Sequence, residues 1–150
     1  MTVIDKFEND TFWLSNFYPC IVKYKNVDYP SSEAAYQSAK CPGHEAEFSH
    51  FDAKTAKHFG RKYMMREDWE DVKDTVMYDI LKVKFSEPLR RKRLIDTYPA
   101  TLIEGNTWND TYWGVCNGVG QNKLGKLLMK VREEAMSEDS GKRGTNFRDF

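Results

Sequence analysis

The sequence predicts an α+β protein: a single compact, mainly helical domain around a small β-sheet. The chain has 150 residues, which suffices for one domain but would leave two halves too small to bury good cores. Hydrophobic residues make up 40% of the chain and aromatic residues 14%, so the material for a packed interior is present. Strand and turn patterns fill the first 30 residues, whereas helical patterns dominate after them.

The strand-rich start contains a recognisable hairpin. Residues 21–24 and 27–29 flank the polar pair Lys25-Asn26, a pattern typical of two short strands joined by a turn. Pro30 then ends the second strand, and Ser31 or Ser32 provides a helix cap. A first helix is therefore predicted over residues 33–41, before Pro42-Gly43.

Four more helices and one strand are predicted further along the chain. Residues 53–59 form a short helix that Gly60 closes, and residues 87–97 form another. The clearest helix begins near Asp68, where Trp69, Val72, Val76, Ile80 and Val83 recur at steps of three and four. A short strand over 101–104 follows Pro99. The final helix carries Leu124, Leu127, Leu128 and Val131 on one face.

The domain is predicted to span residues 1–136. Residues 137–150 read SEDSGKRGTNFRDF, which are mostly polar or charged and offer little apolar surface to bury. This composition predicts a disordered C-terminal tail.

Charge and cysteine content exclude several classes of function. The 23 basic and 23 acidic side chains cancel, which argues against a dedicated, non-specific nucleic-acid binder but leaves a local basic patch such as residues 90–93 open. Three cysteines without CxxC spacing predict neither a disulfide framework nor zinc, and no metal or cofactor is expected. With no signal-peptide pattern and no apolar run of roughly 20 residues, a cytoplasmic protein that does not enter membranes is expected.

One face of the first predicted helix carries chemically useful side chains. Glu33, Tyr36, Gln37 and Lys40 fall at positions i, i+3, i+4 and i+7 and therefore share a face. Alanines beside this face would let the helix approach other elements closely and draw the polar groups into a cleft. The alternative is a solvated face with these groups in water.

A second cluster lies in the glycine-rich loop of residues 108–114. Trp108 and Trp113 can stack on a nucleobase or a sugar, while Asn109 and Asp110 can fix its edges. The alternative is a hydrophobic plug in which Asp110 caps a turn. Three carboxylates, Glu33, Glu104 and Asp110, are candidates for chemistry, but their spacing in the sequence does not show whether they converge.

The same segments carry a family resemblance. The chain resembles the NADAR superfamily, in particular its YbiA-like N-glycosidases, in six segments in the same order: WLSNF (13–17), PSSEAAYQSAK (30–40), REDW (66–69), LIE (102–104), NDTYWG (109–114) and NKLGKLLM (122–129). The resemblance implies a compact α+β domain that hydrolyses N-glycosidic bonds to ribose phosphates. The implied substrates are riboflavin-pathway ribosylaminopyrimidine phosphates or ADP-ribosylated guanine, the latter free or within a nucleic acid. A module that binds ADP-ribose or NAD-derived metabolites without cleaving them is the alternative.

The resemblance also implies the site residues. The expected catalytic residues are Glu33, Lys40 and Asp110, and the expected substrate-binding residues are Asn16, Gln37, Arg61, Trp69, Trp113 and Asn122.

Two catalytic routes are compatible with these residues. In the first, Glu33 stabilises the oxocarbenium ion or activates water, while Asp110 assists the leaving base or holds the ribose hydroxyls. Trp69 and Trp113 would sandwich the base or ribose. In the second, Lys40 attacks C1′ of a ring-opened ribose and forms a Schiff base.

Overall fold

Short strands begin the chain. The computed structural model describes residues 2–148, with side chains described over residues 2–141. Strand β1 (Val3–Ile4) leads to a 3-10 helix over Asn9–Leu14. The antiparallel hairpin of β2 (Val22–Tyr24) and β3 (Val27–Tyr29) follows, which confirms the hairpin and its Lys25-Asn26 turn.

Helices make up most of the remaining chain. They are α1 (Ser32–Lys40), α2 (Glu45–Phe48), α3 (Ala53–Gly60), α4 (Trp69–Lys84), α5 (Pro88–Asp96) and α6 (Lys123–Arg148). The five predicted helices are confirmed, whereas α2 was not predicted because four residues are too few to show a period. Ser31 is the cap of α1, and its hydroxyl accepts a hydrogen bond from the Ala34 N–H at 3.1 Å.

Three separate strand pairs replace the single small sheet that was expected. Strand β1 pairs in parallel with β4 (Thr101–Leu102), β2 pairs with β3, and β5 (Gly105–Asn106) pairs in parallel with β6 (Val115–Cys116). The α+β class is confirmed. The strands are only two or three residues long, so each joins one partner within the described residues rather than extending a common ladder.

Helix α1 lies at the centre of the fold. It packs against α3 and α4, and α4 in turn packs against α6. Ala34 and Ala35 are fully buried, and the small side chains allow this close approach. Glu33 and Gln37 are buried as well, so the solvated-face interpretation of this helix was wrong. Polar groups buried in this way need internal partners or a ligand.

The helix α6 extends into the segment that was predicted to be a disordered tail. Residues 137–141 continue the helix, and the guanidinium of Arg91 donates to Asp139 at 2.8 Å. Side chains beyond residue 141 and the backbone of residues 149 and 150 lie outside the described part of the chain. The boundary at residue 136 stays a prediction.

A buried lysine supports the loop that precedes the hairpin. Lys84, near the end of α4, is completely buried, and its ammonium donates to the carbonyl oxygen of Ser15 at 2.9 Å. It also lies 5.2 Å from the ring centroid of Phe85. Burial lowers the pKa of Lys84 to about 8, because the interior disfavours the charged form.

Replacing this lysine should change how stability depends on pH. The unfolded chain binds more protons than the folded protein between about pH 8 and the ordinary lysine pKa, so wild-type stability contains a component that rises with pH there. We expect the stability of wild type relative to Lys84→Met to increase by on the order of 2 kcal/mol between pH 7 and pH 10.5. Urea unfolding of both proteins at the two pH values measures this difference in unfolding free energy. A difference that is the same at pH 7 and pH 10.5 would contradict the prediction.

Candidate active site

A cavity of about 550 Å³ opens beside α1. Its size is in the range that accommodates small organic ligands. Helices α1 and α3, the segment 7–17 and the loops around Glu104 and Asp110 all contribute to its walls. Its ionisable lining residues are Glu8, Glu33, Tyr36, Lys40, Lys57, Glu104 and Asp110. Its other aromatic lining residues are Phe7, Phe12, Phe17, Trp108 and Trp113.

Glu33 occupies the first turn of α1 at the wall of this cavity. Its backbone N–H donates to the Asn16 carbonyl at 3.0 Å, and its carboxylate accepts from the Gln37 side-chain amide at 2.6 Å. Burial raises the pKa of Glu33, while the Gln37 bond and the ammonium groups of Lys57 and Lys40 offset part of that effect. A buried carboxylate with a raised pKa is suited to taking a proton from water.

The Gln37 side chain reaches Glu33 across a space that a glycine at the end of α3 leaves open. The Gln37 amide oxygen is buried without a hydrogen-bond partner among the described residues. A Cβ placed on Gly60 would lie 1.9 Å from that oxygen. A side chain at position 60 would therefore force Gln37 out of its present position.

Substituting this glycine tests whether the contact matters to the site. In a helix, Gly→Ala normally stabilises by roughly 0.5–1 kcal/mol, but here the new methyl group must displace Gln37 from Glu33. We expect Gly60→Ala to lower the thermal midpoint and to reduce kcat by about tenfold. In Gly60→Ala/Gln37→Ala, stability should recover while kcat stays low. A Gly60→Ala protein with a raised thermal midpoint and full kcat would contradict the prediction.

Asp110 is held in a fixed turn with part of its carboxylate available. One carboxylate oxygen accepts from the backbone N–H groups of Tyr112 at 3.1 Å and Trp113 at 2.9 Å. The Asn106 side chain brackets the same residue, accepting from the Asp110 N–H at 3.0 Å and donating to its carbonyl at 2.9 Å. Asp110 therefore does cap a turn, as the alternative interpretation proposed, and it also lines the cavity.

Aromatic rings and an ammonium group form the outer wall. The Lys57 ammonium lies 5.7 Å from the ring centroids of both Phe17 and Trp108. Trp108 is 54% exposed, which places it at the mouth rather than in the core. Deeper in, Trp113 packs edge-on against Tyr36 with centroids 5.6 Å apart. The wall can therefore stack a flat ring and attract an anionic group.

The structure brings most of the predicted site residues together. Those that line the cavity are Asn16, Glu33, Gln37, Lys40, Asp110 and Trp113. Glu104, which the sequence offered only as a candidate carboxylate, lines it as well. Lys57 was missed, because nothing about its position in a short helix distinguishes it from a solvated lysine.

Three predicted substrate-binding residues lie outside the cavity lining. Arg61 is exposed at the C-terminal end of α3. Trp69 is buried and packs on the Tyr36 ring at 5.0 Å, so it supports the cavity wall from behind. Asn122 uses its side chain to bridge the Leu102 carbonyl and the Glu104 N–H.

The described residues hold neither a candidate metal site nor a candidate membrane span. Within the described residues, no group of three or more His, Cys, Asp or Glu side chains is arranged to hold a metal ion. No helix in that part of the chain is long and apolar enough to cross a bilayer.

Together, the fold and the cavity define a small α+β domain with a carboxylate-rich, aromatic-lined site. The chain belongs to the NADAR domain family, whose model matches residues 4–136. N-glycosidase YbiA of Shigella boydii is 37% identical over 131 residues, covering 83% of this chain and 81% of that protein. The NMR structure of Escherichia coli YbiA aligns with a TM-score of 0.82 at 33% identity, covering 92% of this chain and 87% of that one.

A second group of relatives consists of proteins named for riboflavin biosynthesis. A riboflavin biosynthesis protein of Vibrio vulnificus is 35% identical over 133 residues, which are 85% of this chain but 36% of that protein. This chain therefore spans about a third of that relative's length. The chloroplastic riboflavin biosynthesis protein PYRR of Arabidopsis thaliana is 44% identical over 79 residues.

Proposed function

We propose that this protein hydrolyses the N-glycosidic bond between a base-like amine and a ribose phosphate. The observation that carries the proposal is the convergence of Glu33, Glu104 and Asp110 on one cavity that has aromatic walls and two lysines. Aromatic rings can hold the flat base, and a lysine can bind the phosphate. Carboxylates can stabilise the positive charge that develops on ribose when the bond breaks.

The two predicted carboxylates have separate roles in this proposal. Glu33 faces the anomeric carbon and activates the attacking water, since burial raises its pKa and favours proton uptake. Asp110 has one oxygen fixed by two backbone N–H groups, and the other can hold a ribose hydroxyl or stabilise the oxocarbenium ion. The fixed turn orients that second oxygen before substrate arrives.

The charge of the cavity favours a small substrate over a polyanion. Four carboxyl groups and two ammonium groups line it. Even with Glu33 and Glu104 protonated, the remaining two carboxylates balance the two ammonium groups, so the cavity has no positive excess that would attract a highly charged nucleic acid. A ribosylaminopyrimidine monophosphate fits this balance better than ADP-ribosylated guanine in a nucleic acid. The riboflavin names of several relatives support the same choice.

Lys40 offers a covalent variant of the same reaction. It lies in the cavity with Glu33 and can form a Schiff base with a ring-opened ribose. Borohydride added during turnover distinguishes the routes by mass spectrometry. A reduced adduct on Lys40 identifies the covalent route, whereas turnover without an adduct identifies direct attack by water.

The proposed function is tested with a panel of substrates. Purified protein is incubated with ribosylaminopyrimidine phosphates, NAD, ADP-ribose and ADP-ribosylated guanosine, and released base is followed by mass spectrometry. We expect release from a ribosylamine phosphate. Binding of ADP-ribose or NAD without release from any compound would instead identify a non-catalytic binding module.

A further inference from the structure

Resting on the proposed glycosidase function, we propose that Glu104 is the catalytic acid that protonates the departing base. The family resemblance implied Glu33, Lys40 and Asp110 as the catalytic residues and did not include Glu104. Glu104 lines the same cavity as these three residues.

Three neighbours fix Glu104 at the cavity wall. The Asn122 side-chain oxygen accepts from the Glu104 backbone N–H at 2.9 Å. The Asn106 amide donates to one carboxyl oxygen at 3.3 Å. Gly114 packs so closely that a Cβ there would lie 2.2 Å from the same oxygen. This arrangement holds one oxygen against the protein and leaves the other for a ligand.

The carboxylates near Glu104 also favour its protonated form, which a catalytic acid needs. Asp110 from the neighbouring loop and Glu33 from α1 disfavour a negative charge on Glu104, while Lys57 from α3 favours it. Burial raises the pKa of Glu104 to about 7, although the hydrogen bond from Asn106 works against this. A substantial fraction of Glu104 is therefore protonated at neutral pH, where a free glutamic acid would be ionised. Glu33 is the base of this acid and base pair, because the Gln37 amide and two ammonium groups favour its ionised form, whereas the neighbouring carboxylates disfavour the ionised form of Glu104.

The reaction balances with these groups. As the C1′–N bond breaks, its electron pair moves to the base nitrogen, which takes a proton from the Glu104 carboxyl. Water adds its oxygen to C1′ and gives a proton to the Glu33 carboxylate. The products are the neutral base and the ribose phosphate, and exchange with solvent restores both carboxyl groups.

Two substrates with different leaving groups test the assignment. A ribosylaminopyrimidine phosphate needs a proton on its departing amine, whereas nicotinamide mononucleotide releases a neutral pyridine without one. We expect Glu104→Gln to lower kcat about a hundredfold on the first substrate and less than about threefold on the second. The fall of wild-type kcat/KM with rising pH near 7 should be lost in this variant. Glu33→Gln should be slow on both substrates.

Controls separate this assignment from the function on which it rests. Glu67→Gln, an exposed charge away from the cavity, should match wild type. Glu104→Asp keeps a carboxyl group, so its kcat should be lower but should depend on pH as in wild type. This second variant tests the assignment even if Glu104→Gln misfolds. Equal losses on both substrates, or an unchanged pH profile in Glu104→Gln, would overturn the role of Glu104. Failure of wild type to cleave any ribosylamine phosphate would overturn the proposed function instead.

Discussion

Glu33→Gln should reduce kcat by at least about a hundredfold, the lower end of the range for acid–base groups. Glutamine preserves the size of the side chain, and its carbonyl oxygen can still accept the hydrogen bond from Gln37. It cannot take a proton from water or carry the charge that stabilises an oxocarbenium ion.

The same substitution should make the folded protein more stable at alkaline pH. Burial raises the pKa of Glu33, so the folded state binds this proton more tightly than the unfolded chain. The stabilisation contributed by the neutral Glu33 carboxyl is fully present below the ordinary glutamate pKa. It is lost as the pH rises through the raised pKa of the folded state. Glutamine stays neutral and avoids that loss. At pH 8 the thermal midpoint should therefore rise while kcat falls.

Rate measurements and thermal melts at pH 5 and pH 8 check both parts. The matched control is Glu67→Gln, which removes an exposed carboxylate elsewhere and should change neither quantity. Near-normal turnover in folded Glu33→Gln would remove Glu33 from the chemistry.

Asp110→Asn should lower kcat by about 10²-fold, because it removes the negative charge that faces the reacting ribose. The asparagine oxygen can still accept from the Tyr112 and Trp113 N–H groups, so the turn should persist. Asp110→Ala removes those acceptors too. It should reduce kcat further and lower the unfolding free energy by about 1 kcal/mol.

The pair of variants separates charge from loop geometry. Steady-state kinetics with a ribosylamine phosphate give the rate effect, and urea unfolding gives the stability effect. Asp28→Asn changes an exposed aspartate of the hairpin and serves as the control. If Asp110→Asn kept full activity, the charge at this position would have no part in catalysis.

Local patterns were sufficient to predict most of the secondary structure. The apolar repeat beginning at Trp69 predicted α4, and the serine after Pro30 predicted the start of α1. Helix α2 and the strand pair of β5 and β6 were missed because segments of two to four residues show no period. The prediction of one small sheet was wrong, because strand pairing depends on segments far apart in the chain and the strands form three separate pairs.

The site was only partly predictable. The helical spacing of Glu33, Gln37 and Lys40 placed them on one face, and the structure shows that this face borders the cavity. Lys57 carried no local signal, because its role depends on α3 packing against α1. Arg61 lies outside the cavity lining because it follows the last turn of α3 and points to solvent.

By itself, the sequence determined the class of fold, the order of the helices and the family, since these depend on local periodicity and on motifs read in order. The tertiary structure decided which polar groups are buried together. It buries Glu33 of α1 at the cavity wall and brings Glu104 close to Asp110 and Lys57. The physical reason is that the protonation of a carboxyl group depends on desolvation and on charges brought close by packing, and neither is encoded within one segment.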